Sequence, residues 1–443
     1  PICSSRQDGG EGESSLVCSD HLKFCRGRNL YIDLTRLSTR STPVRYHMDV
    51  LQEGEIGGHC RLDSTLLAQQ SDQISPLQSW GPELRYFRGT QQPSRDWNCD
   101  IWYDKPVVIY KIDAAVSLYH HFCDFFNLYA SQHVNNSDEH AFSTDVQVLI
   151  WESYPYRSSF ADAWRAFTRH PLLTLDDVKG KKLCFRELLL PLLPRMIFGL
   201  YYNTPVVYGC ERSGLFHAFN RHMLHRLRVP IRDGVTTGTS NNLKQDNSPA
   251  AEERAAPAAG GGEGDGRVHV TLLARQTQHR RILNQAAIIK AMQARRDVAL
   301  RVAEFDHGSS FLLQLRTVAA TDVLVGMHGS GLTHLLFLPD WAALFEIYNC
   351  GDENCYMDLA RLRGVAYFTW QNSSTMVAQD QGHHPTLGAH EKFTNYQFDV
   401  AEFMRILGQA VTAVKLNPAW RRHNRGRIVE HPTQGGGGSR DEL

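Results

Sequence analysis

From residue 267 onward, short apolar runs alternate with longer stretches of helical period. Val268-His269-Val270-Thr271-Leu272-Leu273 reads as a strand, Asn284 to Arg295 as a helix, and Asp297 to Val302 as a second strand. Ser310 to Val318 follows as a helix, Asp322 to Val325 as a strand and Ala342 to Tyr348 as another. Strands and helices in strict alternation predict a parallel sheet with crossover helices. The earlier part carries the same signals: a strand at Pro106 to Tyr110, an amphipathic helix from Ser117 to His133, and a strand at Asp145 to Trp151. Phe398 to Val414 has the stripe of a terminal amphipathic helix, expected to pack back across the first lobe.

These patterns divide the 443 residues. Residues 1–43 are polar and cysteine-bearing, expected as an extension laid over the body. Residues 44–231 are expected as a first Rossmann-like lobe, and 267–397 as a second. Residues 398–434 hold the terminal helix and tail, and 435–443 a flexible tether. Between the lobes, 232–266 turn to Thr, Asn, Ala, Pro, Gly and Glu without apolar period. Such a segment buries too little to offset its chain entropy and is expected to be a disordered insertion. The fold class is α/β, two Rossmann-like lobes with a cleft between them.

Composition narrows the setting. Lys plus Arg number 47 against 47 Asp plus Glu, so no charge excess points to nucleic acid. No apolar run reaches the ~20 residues of a membrane span. The chain ends Arg440-Asp441-Glu442-Leu443, a variant of the KDEL signal. That ending predicts a retrieval receptor as partner and the endoplasmic reticulum lumen as location. Ten cysteines without a CxxC pair favour disulfides over metal in that compartment, and Cys350 with Cys355 could close a small loop. Asn135 and Asn372 open glycosylation triplets.

The chemistry concentrates at Val325-Gly326-Met327-His328-Gly329-Ser330-Gly331-Leu332-Thr333-His334. A strand, a glycine turn and a helix opening near Leu332 present backbone amides and a partial positive charge to an anion. His328 could donate to a phosphate, whereas His334 reads as core. Arg275 stands at the end of a strand, and Arg280 or Arg281 opens the next helix; guanidinium forks suit phosphate oxygens. Glu346, a carboxylate within an apolar strand, reads as an acceptor for ribose hydroxyls or as half of a buried ion pair. In the first lobe His120 and Asp124 lie four apart on one helical face. They are candidates for the base that takes the acceptor proton, singly or as a base and its orienter. Trp102, Tyr103 and Trp151 are available as acceptor contacts.

The turn and its continuation through Leu335-Leu336-Phe337-Leu338-Pro339 resemble the family 61 glycosyltransferases. So do Trp341 to Cys350, Cys355 to Val365, Asp100 to Tyr103, Tyr119 to Tyr129, Tyr202 to Pro205 and Gly382 to Gly388. The resemblance covers about Cys60 to Trp420 and lapses in the 232–266 insertion. It implies a GT-B architecture and an inverting transfer of N-acetylglucosamine from UDP-GlcNAc to Ser or Thr hydroxyls of folded EGF-like repeats in secreted or membrane proteins. The His120–Asp124 spacing matches the family's own. Where relatives carry Asp-Tyr-Asp, this chain reads Arg169-His170-Pro171, and no D-x-D occurs anywhere. No visible motif therefore requires a divalent metal, and no tightly bound cofactor is expected. Two other readings fit the same residues: a family member with another donor or acceptor, such as xylose or an O-mannosyl glycan, and a non-catalytic lumenal protein that binds clients.

Overall fold

Two β-sheets share one helical layer, and the apolar side chains of that layer decide how the chain is built. The structure is a computed structural model that describes residues 1–5, 12–37, 50–71, 75–134, 142–195, 211–232, 266–306 and 308–424. The expected insertion at 232–266, except for its end residues, and the tail from 425 lie outside the described residues.

The second sheet has five strands in the order Val298–Ala303, Val268–Leu273, Val323–Gly326, Ala343–Glu346 and Ala366–Thr369, every neighbouring pair parallel. Val323–Gly326 and Ala343–Glu346 are buried at every position, which is why they read as continuous apolar runs rather than alternations. The Val268–Leu273 strand lies between the second and third strands of the unit. Its two flanking connections therefore leave on opposite sides, and this switch point opens a crevice at the carboxyl ends. The row Ala303, Leu273, Gly326, Glu346 and Thr369 marks those ends in register.

The terminal helix, Val400–Leu416, is N-capped by Asp399, whose side chain accepts from the Glu402 amide at 2.8 Å. It does not cross to the first sheet. Its stripe of Phe403, Ile406, Leu407, Ala410, Val411 and Val414 joins Val270, Val323 and Phe345 in one core, so it covers a face of the second sheet.

The first sheet is mixed rather than plainly Rossmann-like. Leu173–Thr174, Gln147–Ile150, Val107–Tyr110 and Lys182–Leu190 are parallel neighbours, and then Cys25–Asp33 joins antiparallel along Lys182–Leu190. Residues 1–43 are thus no mere extension. Arg26, Gly27 and Arg28 interrupt the apolar period there, although Leu30, Tyr31 and Ile32 behind them are buried. Disulfides Cys3–Cys60, Cys18–Cys25 and Cys99–Cys184 tie this region together. Cys350 and Cys355 close no loop; with Cys123 they are free thiols among the described residues. No described helix is long and apolar enough to cross a membrane.

Between the sheets lies the Leu118–Ser131 helix, with twelve of its fourteen residues buried. Phe122 sits 5.7 Å from the Phe311 ring and 5.3 Å from the Phe337 ring, both of the second unit, and 5.3 Å from Phe125 of its own helix. Asn220 adds a polar tie, donating to the Leu336 carbonyl at 2.7 Å. One hydrophobic cluster therefore runs from Val148 and Ile150 of the first sheet to Leu324 and Leu344 of the second. Removing its centre with Phe122→Ala should cost roughly 3–5 kcal/mol. Because the cluster is shared, urea unfolding followed by tryptophan fluorescence and far-UV dichroism should give one coincident transition, shifted down. Two separated transitions in the native protein would mean that the units stand independently.

Candidate functional site

A cavity of about 310 Å³ opens at the switch point of the second sheet. Its walls are the ends of three strands: Leu273 to Thr277, Glu304 to Asp306, and Met327 with Ser330 to Leu332. Val116, Leu118, Ser159 and Phe160 of the first unit close the opposite side. A larger hollow of about 550 Å³ lies by the amino ends of the first sheet's strands. Its charges are satisfied, since Asp145 pairs with Lys105, Arg169 and His170 at 2.8, 2.7 and 2.6 Å. The first cavity gathers strand ends and a guanidinium that meets no carboxylate among the described residues.

The cavity wall carries Arg275, and Arg280 stands next to it at Gly329, outside the lining. Nε of Arg275 donates to Thr277 Oγ1 at 2.6 Å and to the His279 carbonyl at 2.9 Å, and Nη1 of Arg280 donates to the His328 carbonyl at 3.1 Å. All these acceptors are neutral. Among the described residues no carboxylate pairs with either guanidinium, and Nε of Arg280 is buried without a partner. Burial pushes Arg275 down to about 10, helped by the like charge of Arg280, so it stays ionised at neutral pH. Arg275 and Arg280 are partly buried, and cations without a counter-ion in such a place carry a desolvation cost that an anion relieves.

Local backbone geometry sets this up. Arg280 has φ 62°, a left-handed conformation that a non-glycine residue holds only under constraint. The constraint is the loop before the terminal helix: the Arg280 amide donates to Thr394 O at 2.7 Å, and the Arg281 amide to Asn395 Oδ1 at 2.8 Å. Gly329 has φ 154° and ψ 167°, a region open essentially to glycine, and a Cβ there would stand 2.5 Å from Nη1 of Arg275. The glycine is thus what lets the guanidinium lie against the turn. The expected helix is a 3-10 helix, Ser330–Phe337, opening at Gly329 without a side-chain cap. It is buried on every side from Leu332 onward, Thr333 included. Arg363 satisfies its far end by donating to Leu336 O at 3.0 Å and Leu338 O at 2.7 Å.

Several expected ligand residues point elsewhere. Arg281 is exposed and outside the cavity walls. Glu346 is fully buried, with one oxygen 2.8 Å from His328 Nδ1 and the other accepting from Tyr367 Oη at 2.6 Å. Neither Glu346 nor the His328 ring lines the cavity; the carboxylate fixes the histidine instead of meeting a ribose. His334 is core, as expected: Nδ1 donates to Gly331 O at 2.7 Å, and burial pushes it down to about 4.

On the Leu118–Ser131 helix the expected pairing is replaced by two separate ones. His120 Nδ1 lies 2.8 Å from Asp113 Oδ2, and Arg195 holds the other Asp113 oxygen at 2.6 Å. Burial raises the Asp113 carboxyl, but the bonds from His120 and Arg195 outweigh it, leaving the group below the usual range and ionised. Asp124 is fully buried. Its oxygens take the Asp113 amide at 3.2 Å and His121 Nδ1 at 2.8 Å. His121 Nε2 accepts from Tyr156 Oη at 2.8 Å, and that hydroxyl accepts from Trp164 Nε1 at 2.9 Å. Burial pushes His121 down to about 3, so it is neutral. Asp124 is therefore sealed from a substrate, while the His120 side chain is about one-third exposed. Asp113 was missed, though it sits three residues past the Val107–Tyr110 strand, where strand-end chemistry belongs.

The aromatic candidates are not at the cavity. Trp151 is core at 3% exposure. Trp102 and Tyr103 pair level with Cys184 and Phe185, whereas Val107 pairs with Leu188. At ~3.3 Å per residue this places Trp102 roughly 20 Å along the sheet from the carboxyl ends. Asn372 is exposed, its side chain accepting from the Ser374 amide at 3.1 Å; Asn135 and Arg440 to Leu443 lie outside the described residues.

Comparison with known proteins supplies the family. The Glycosyltransferase 61 family model matches residues 58–345. A Drosophila melanogaster protein named EGF domain-specific O-linked N-acetylglucosamine transferase is 46% identical over 425 residues, 96% of this chain and 75% of that protein. The Mus musculus protein of the same name is 47% identical over 412 residues, 92% and 72% of the two chains. The Gallus gallus one is 45% identical over 413 residues, 92% and 71%.

Calorimetry with uridine diphosphate tests the arginine pair. Arg275→Ala should weaken binding at least ~10-fold, as losing a charge-assisted contact does, and Gly329→Ala should weaken it too by displacing the same guanidinium. Unchanged binding in both would remove the pair from the site. A second expectation concerns pH. In the unfolded chain His121, His222 and His334 titrate near ~6.5, and in the fold near about 3, about 4 and about 4. The unfolded state therefore binds more protons between these values, and stability falls as pH drops from ~6.5 toward ~4, with about three protons taken up by these histidines on unfolding. A urea midpoint that stays flat across that window would contradict the neutral assignment.

Proposed function

The chain belongs to the glycosyltransferase 61 family, and on that premise we propose that it transfers N-acetylglucosamine from UDP-GlcNAc to Ser or Thr hydroxyls of EGF-like domains, with inversion at the sugar. The observation that carries this reading is Arg275, a guanidinium in the switch-point cavity wall that meets no carboxylate among the described residues, with Arg280 beside it. As the acceptor oxygen bonds to the anomeric carbon, the bond from that carbon to the diphosphate oxygen breaks and its electron pair leaves with UDP. Fixed positive charge at that place stabilises the departing diphosphate more than the intact donor, which is what lowers the barrier.

The acceptor proton goes to His120. With Nδ1–H donating to ionised Asp113, Nε2 carries the lone pair and serves as base. His120 belongs to the helix whose Leu118 lines the cavity. Asp113 and Arg195 orient the ring, and Asp124 supports Asp113 from behind. The two sheets correspond in this reading to the two units of a GT-B enzyme, and the three disulfides suit an oxidising lumen.

Incubation with UDP-GlcNAc and a folded EGF-like domain should add one N-acetylhexosamine to the domain by mass spectrometry; no gain would refute the reaction. His120→Ala should lower kcat by about 10²–10⁴ with UDP affinity retained. Asp124→Asn should lose stability and keep more activity than His120→Ala. A stable Asp124→Asn protein that is the less active of the two would return the base to Asp124.

A further inference from the structure

The acceptor must approach the anomeric carbon from the side away from the diphosphate, and among the described residues the cavity wall on that side is built by the first unit. Two loops form it, 111–117 after the Val107–Tyr110 strand and 151–160 after the Gln147–Ile150 strand. We infer that the outer edge of this wall, Val116 and Tyr154, is the surface on which the folded acceptor domain docks. The inference rests on the proposed transfer to EGF-like domains.

Three observations carry it. Val116, in the cavity wall, is 70% exposed, and Tyr154, on the 151–160 loop that supplies Ser159 and Phe160 to that wall, is 48% exposed. Pro155 and Arg157 next to them are exposed as well. The wall is also preformed: Ser158 Oγ donates to the Ala115 carbonyl at 2.6 Å and accepts from the Phe160 amide at 3.0 Å, locking one loop to the other. Finally, the loop is anchored from beneath. Tyr156 reaches His121 and through it Asp124, so the sealed network that takes no part in proton transfer holds the docking edge in place. A rigid apolar rim beside a polar reaction centre suits a partner of fixed shape and selects a folded domain over a flexible peptide.

The test measures binding of a folded EGF-like domain to the full chain in the presence of UDP, by biolayer interferometry, with thermal melts to confirm folding. Tyr154→Ala and Val116→Asp should each weaken binding about tenfold or more. Val377→Asp, an equally exposed site on the second unit, should leave it within twofold. A reduced and alkylated domain should bind the native protein as weakly as the folded domain binds Val116→Asp. Unchanged affinity in both variants, or no binding by the native protein, overturns the docking surface. A native protein that binds the domain at this edge but transfers no sugar supports the surface and refutes the proposed reaction, so the two failures are distinct.

Discussion

Burial of the Leu118–Ser131 helix between the two sheets is the constraint on which the site depends. Its aromatic residues face Phe311 and Phe337 on one side and Trp164 and Phe167 on the other, so neither sheet has a complete core without it. The same helix begins with Leu118 in the cavity wall and His120 beside Asp113. Packing of its middle therefore fixes where its chemical end stands relative to the arginines of the second sheet. Carboxylates within this buried layer must be matched, and Asp124 is: a backbone amide and a neutral imidazole satisfy it.

Charge is distributed by one rule across the molecule. Lys111 meets Glu83 at 2.8 Å, Arg363 meets Asp340 at 3.0 Å, and Glu346 meets His328 and Tyr367. Arg275 and Arg280 break the rule, and they do so against a glycine that allows close approach and on a backbone held in a left-handed turn. Strain and uncompensated charge at one place mark a site built for a ligand that supplies the missing anion.

What could be read from the residues follows from where information lies along the chain. The second sheet was legible because its central strands are buried on both faces, and a run such as Val323–Gly326 then stays apolar without a break. Arg275 was legible because it stands directly beyond a strand. The Cys25–Asp33 strand was hidden by Arg26, Gly27 and Arg28, which give no period although the strand lies between two others. At Glu346 and on the histidine helix the partners were not legible, for a shared reason. Local spacing shows which face a side chain occupies but not what comes to meet it. Tyr367 lies 21 residues from Glu346, and Asp113 precedes the helix altogether. The i, i+4 relation of His120 and Asp124 is real, yet each finds a nearer partner off that line.

The shared core also limits how the enzyme can move. A hinge that separated the sheets would expose Phe122, Phe311 and Phe337, and at ~25 cal/mol per Å² such aromatic faces cost several kcal/mol to open. Adjustment to a donor or acceptor must then fall to the rims of the cavity, where Glu304 to Asp306 and the 151–160 loop carry partly exposed residues. Of these, the second is tied to the helix through Tyr156 and to its neighbour through Ser158. It is the stiffer rim, and selection of the acceptor by shape follows from that stiffness, because a wall that does not yield admits only partners already folded to match it.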